Sequence, residues 1–174
     1  MTLDLLDFDS EDLYFNEILN AEVKSCLDQA AATYGDDQSE MALLRAYFLE
    51  PSHPMVLVAL YRYYYYQHRL RDALIVAERV LHVMAKRLDL PQDWRELTEG
   101  RLGNGVMISM TLIRFYMLAL KGAGYLELRL GDYESALHRL EKVAELDSKD
   151  RLGAQALLEV VRKALSDTTS SATA

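Results

Sequence analysis

The chain holds one cysteine, one tryptophan and three prolines in 174 residues. A lone cysteine, Cys26, excludes an internal disulfide, and it falls on the apolar side of a helical pattern, where a buried small hydrophobe is expected. Prolines occur only at 51, 54 and 91, so long stretches can stay helical without interruption. No apolar run approaches the roughly 18 residues needed to span a bilayer. The start, Met1-Thr2-Leu3-Asp4, is acidic where a secretory signal would be basic. A cytoplasmic protein with no membrane partner is expected. Basic charge is scarce too: net charge is −8 and the isoelectric point is about 5.0. A nucleic-acid binder would show a basic stripe instead.

Chemistry-bearing patterns are equally thin. The four histidines, His53, His68, His82 and His138, lack helical ligand spacing, so no metal is expected. Gly100-Arg101-Leu102-Gly103-Asn104-Gly105 follows no strand and lacks the lysine of a phosphate-cradling loop. It reads as a mobile turn. No Ser, His and Asp set and no paired carboxylates stand at catalytic spacing. The expectation is a protein that is not an enzyme and takes no cofactor.

What is present is helix. About half the residues are apolar (51%), and they recur at helical spacing, as in Leu57, Leu60, Tyr61 and Tyr64. The fold class is all-α. The first helix is expected from an N-cap at Ser10 to about Tyr34, closed by Gly35. Further helices are expected at about 38–49, 54–67, 70–88, 92–99, 105–130, 133–146 and 150–165, and a disordered tail at 166–174. Acidity concentrates at the start: Asp4, Asp7, Asp9, Glu11, Asp12 and Glu17 come with no Lys or Arg before residue 18.

The run Leu130-Gly131-Asp132-Tyr133-Glu134-Ser135-Ala136-Leu137 ends one helix, turns tightly and starts another. Upstream, Gly124 stands where two helices touch only if one side chain is missing. Downstream, Leu140, Val143, Leu146 and Asp147 complete a pattern that resembles a tetratricopeptide repeat, a helix–turn–helix unit of roughly 34 residues. The small position of Ala136 is matched by Ala73 and Ser39, and the last two stand 34 residues apart. Leu49-Glu50-Pro51 is close to the family's usual ending. The resemblance implies a right-handed superhelix of about three repeats (20–53, 54–87 and 117–150), an insertion at 88–116 and a capping helix at 151–165. Residues 1–19 would form an acidic segment and helix extension. Where the family favours glycine or alanine, as at Gly124, the first two units carry Leu27 and Tyr61.

Such repeats usually bind other proteins along a concave groove. Mapped here, the groove stripe contains Lys24 and Asp28 in the first unit, Arg62, Tyr65 and Tyr66 in the second, and Lys121, Tyr125 and Arg129 in the third. Bases interleaved with tyrosines suit a protein or peptide segment that is acidic with apolar anchors, since arginine grips carboxylates with two parallel hydrogen bonds. The clamp that some members use for chaperone tails is mostly missing: Lys24 matches, but Asp28, Ala59, Leu118 and Gly122 do not. In Tyr61-Arg62-Tyr63-Tyr64-Tyr65-Tyr66, Tyr61 and Tyr64 fit the packing face, and Tyr63, Tyr65 and Tyr66 must face elsewhere.

The reading is a non-catalytic adaptor or an assembly or maturation chaperone that holds a client segment. Two alternatives stand beside it. One is a secretion chaperone similar to the three-repeat class of type III systems. The other is a structural subunit that forms a homodimer through an apolar helix extension exposing Met107, Met110 and Phe115. Leu3-Asp4-Leu5-Leu6-Asp7-Phe8-Asp9 is complementary to the groove and is expected to fold back into it, to swap into a neighbour, or to remain a solvated tail.

Overall fold

The computed structural model describes residues 15–171, with side chains through residue 168. Among them are eight α-helices and no strand: α1 (Ala21–Ala32), α2 (Asp37–Leu49), α3 (Pro54–Tyr66), α4 (Leu70–Arg87), α5 (Glu99–Ile108), α6 (Met110–Leu130), α7 (Tyr133–Leu146) and α8 (Ala154–Ser171). The all-α class is therefore as expected. None of these helices is long and apolar enough to cross a membrane. The described residues divide into two compact units, 15–76 and 77–171.

In the first unit, α1 packs on α2 and α2 on α3. The expected early start of the first helix is wrong over the described part. Residues 15–20 are not helical, and Asn20 caps α1 by accepting from the Glu22 amide at 2.8 Å. Ser10 and the 3–9 segment lie outside the described residues. Pro54 occupies the first turn of α3, behind a cap in which the His53 Nδ1 accepts from the Met55 amide at 3.2 Å. Ser39 is fully buried where α2 meets α1, and its hydroxyl donates to the Ala30 carbonyl at 2.8 Å.

The second unit is built on α6, which packs against α5, α7 and α8. Gly131 closes α6 in the left-handed conformation at φ 84°, and the Asp132 amide then bonds back to the Glu127 carbonyl at 3.0 Å. Asp132 caps α7 through the Ser135 amide. Gly124 is needed as expected, because a Cβ there would lie 2.9 Å from Leu140 Cγ. Ala136 and Leu140 of α7 also pack with Leu158 and Val161 of α8.

Four expectations fail here. The single helix over 105–130 is broken at Ser109, whose extended backbone (φ −160°) ends α5 while its hydroxyl accepts from the Leu112 amide to start α6. The Gly100–Gly105 segment is helical and belongs to α5. Gly105 lets α5 lie against α6, since a Cβ would meet Ile113 Cδ1 at 2.6 Å. The helix expected at 92–99 is only one short 3-10 turn, Trp94–Glu96. At the far end, the tail expected to be disordered continues α8 to Ser171, with Ser166 and Thr168 hydroxyls bonded back to the Lys163 and Ala164 carbonyls.

Candidate functional site

In the first unit, α1, α2 and α3 enclose a hollow of about 480 Å³. Small residues make the space: Ala30, Ala31 and Ala59 offer only methyl groups, with Leu27 and Leu43 beside them. Tyr34, Tyr63, Tyr66 and Arg62 also line it. Ser39 lines it as well, but its hydroxyl is committed to the Ala30 carbonyl. Of the described lining residues only Arg62 is charged, so a positive group stands over an apolar floor. The volume lies within the range of about 300–1,000 Å³ typical of ligand pockets.

The tyrosine run shapes one wall. Tyr61, Tyr63 and Tyr64 are buried, Tyr65 is half-buried and Tyr66 is 46% exposed. Tyr63 therefore departs from the sequence expectation. Its ring meets Tyr34 edge-on at 6.2 Å and Tyr64 at 5.6 Å, and those contacts enclose it. Tyr61 stacks on Tyr65 at 6.1 Å, and Tyr65 meets Tyr66 edge-on at 5.7 Å. Burial first, and then the neighbouring Tyr66, push the Tyr34 hydroxyl up, while Arg62 pulls it down. Arg62 and Tyr66 thus share the hollow's field with Tyr34, which the sequence reading had not singled out. Gly35, at φ 101°, turns the chain just after Tyr34 and was its one local signal.

The back of the wall is pinned by charge. Tyr64 donates to Glu40 at 3.1 Å, and Arg69 bonds Glu40 and Asp72 at 2.7 Å each while lying 4.6 Å from the Tyr64 ring centre. Burial, followed by Glu40, pushes the Tyr64 hydroxyl up to about 12. Lys24 and Asp28, also expected in the groove, are exposed on α1, and neither lines the hollow.

In the second unit the expected stripe is less open. Lys121 is only 3% exposed, because α6 is buried on almost every side along its middle. As a surface contact it is corrected. Tyr125 is half-buried and accepts a hydrogen bond from the exposed Arg129 at 2.9 Å. Phe115 is corrected likewise at 2% exposure. Met107 and Met110, at 87% and 56%, are exposed around the Ser109 break.

The sequence reading also missed a buried ion cluster in this unit. Arg139 of α7 bonds Glu127 of α6 at 2.6 and 3.1 Å and Glu78 of α4 at 2.5 Å. Its guanidinium carbon lies 5.0 Å from the Trp94 ring centre, and Arg95 lies 4.3 Å from the same ring. Burial pushes the Glu127 carboxyl up against the pull of Arg139. Burial also opposes charge on Arg139, but its bonds to Glu127 and the field of Glu78 outweigh that and keep it cationic. Such a cluster fixes helices in place; it is not an accessible site.

The sequence is 48% identical over 159 residues to the "uncharacterized 19.8 kDa protein in nifW 5'region" of Azotobacter chroococcum mcd 1, covering 91% of this chain and 89% of that one. The chain belongs to that protein's family. No family model matches the sequence. No solved structure matches it either.

Proposed function

We propose that this chain is a non-catalytic, cytoplasmic adaptor or assembly chaperone of tetratricopeptide-like architecture, which holds a segment of another protein in the hollow of its first unit. The observation that carries the reading is that hollow, an apolar space of about 480 Å³ with Arg62 and Tyr66 among its walls. Helix pairs joined by tight turns, with Gly124 facing Leu140, support the repeat reading. Action would be stoichiometric: bind, shield and release. The relative's name places its gene in the region 5' of nifW, which makes a nifW product the first client to try.

A photoreactive phenylalanine in place of Tyr66 tests the site. It should give a discrete adduct with a client. The same residue in place of Ile75, exposed but not lining the hollow, should not. Adducts that are identical from both positions would refute the assignment. A second reading, a homodimer meeting at the α5–α6 junction, is favoured by the exposure of Met107, Ile108 and Met110. Light scattering checks it: a dimer at all concentrations that Met107→Glu dissociates would support it.

A further inference from the structure

We infer that the outer face of α2 is a self-pairing surface, on which a second copy of this chain docks with its own α2 running antiparallel. Asp37, Met41, Leu44, Arg45 and Phe48 recur at the helical period and share one side of α2. Phe48 is 85% exposed, Met41 68% and Leu44 41%, so three large apolar side chains stand in water along about two turns of helix. On the opposite side of α2, Ser39, Ala42, Leu43 and Ala46 are buried, and the helices it packs on are α1 and α3. Covering the exposed stripe is favourable in proportion to the apolar area removed from water. Apolar patches of this kind mark interaction surfaces.

The charges along the stripe select the occupant. Asp37 stands at its N-terminal end and holds no ion pair among the described residues. Arg45 stands toward the C-terminal end; one of its nitrogens bonds Glu22 of α1, and a guanidinium carries donors for a second carboxylate. Acid at one end, base toward the other and apolar residues between make a pattern that complements itself when reversed. An antiparallel pair about a twofold axis sets Met41 and Leu44 of one copy on Leu44 and Met41 of the other, with each Arg45 in reach of the other copy's Asp37. A parallel pair would set Asp37 on Asp37 and Arg45 on Arg45, which like charge opposes. Ser39 and Leu43, which line the hollow, face the other side of α2, so the pairing leaves both hollows open. Such a dimer offers two seats to one client, the second filled at an effective concentration set by the first. A single helix face lies at the small end of interface sizes, below about 1,200 Å² in total, so the dimer is weak and concentration-dependent.

Sedimentation of the full chain at rising concentration tests the pairing. The mean mass should climb from one copy toward two between about 1 μM and 1 mM. Phe48→Glu should hold the chain as a monomer across that range, whereas Met107→Glu, at the α5–α6 junction, should leave the climb unchanged. Under mild oxidation Met41→Cys should link two copies, because residue 41 lies next to the axis. Asp37→Cys, displaced from its twin by roughly 16 Å along the helices, should not. The wild type is the blank, since its Cys26 is buried. A monomer at every concentration up to about 1 mM would overturn the proposal, as would a dimer that Met107→Glu dissociates and Phe48→Glu leaves whole. Equal linking through residues 37 and 41 would overturn the antiparallel order. None of these readouts needs a client, so their failure is distinct from failure of the segment-binding reading.

Discussion

Small residues do opposite things in the two units. In the second, the missing side chain of Gly124 is answered by Leu140, which lies so close that a single Cβ would overlap it. In the first, no described side chain fills the space beside Ala30, Ala31 and Ala59, and a hollow of about 480 Å³ is lined by Arg62 and tyrosines. The same composition signal marks tight packing in one place and an open space in the other. The difference lies in the facing residue. Leu140 projects from α7 into the space above α6, whereas α2 offers the hollow Ser39, whose hydroxyl donates across to the Ala30 carbonyl of α1, and Leu43 at one side. A small residue becomes a site only when the opposing helix declines to fill it.

Charge divides the units in the same way. Arg139 is buried between two carboxylates, and Arg62 lines the hollow. The largest expected effect follows from this. Arg139→Ala should destabilise the protein by about 3–5 kcal/mol, because Glu127 is left buried without a counter-charge. Replacing the pair together, Arg139→Met with Glu127→Leu, should recover most of that loss, as urea unfolding would reveal.

The next effect is alkaline. The hydroxyls of Tyr64 in the first unit and Tyr116 in the second are each pushed up to about 12, chiefly by burial. A raised folded pKa gives stability that is complete below the unfolded value near 10 and is lost as pH rises toward 12. For Tyr116, the more deeply buried of the two, this should remove up to about 2–3 kcal/mol across that window. Tyr116→Phe should flatten the decline seen by unfolding between pH 10 and 12; an unaltered decline would assign it elsewhere. Smaller still, Gly124→Ala should cost about 1–2 kcal/mol, the overlap with Leu140 outweighing the helix preference for alanine.

Much of this comparison was legible in the residues themselves. The Gly131–Asp132 turn, the Pro54 helix start and the close approach at Gly124 all depend on local backbone rules, and all three appear as the sequence indicates. The break at Ser109 was not legible, since a serine cap inside an apolar run looks like any helical serine until the extended backbone is seen. Arg139 and Glu127 sit on different helices, and no spacing rule in the sequence joins them. Lys121 and Phe115 were misplaced for a related reason. A helix wrapped on nearly all sides has no outer stripe, and periodicity alone cannot tell how many neighbours a helix acquires. At the site, Arg62 and Tyr66 were visible from the groove stripe, but the hollow between them depends on what α2 leaves empty.

The most direct measurement compares wild type and Ala31→Leu in two assays on the same samples: thermal unfolding and client adduct formation from the photoreactive residue at position 66. The account predicts unfolding midpoints that agree within the effect of about 0.5 kcal/mol expected of a surface substitution, together with loss of the adduct. Undiminished adducts with matching midpoints would contradict it.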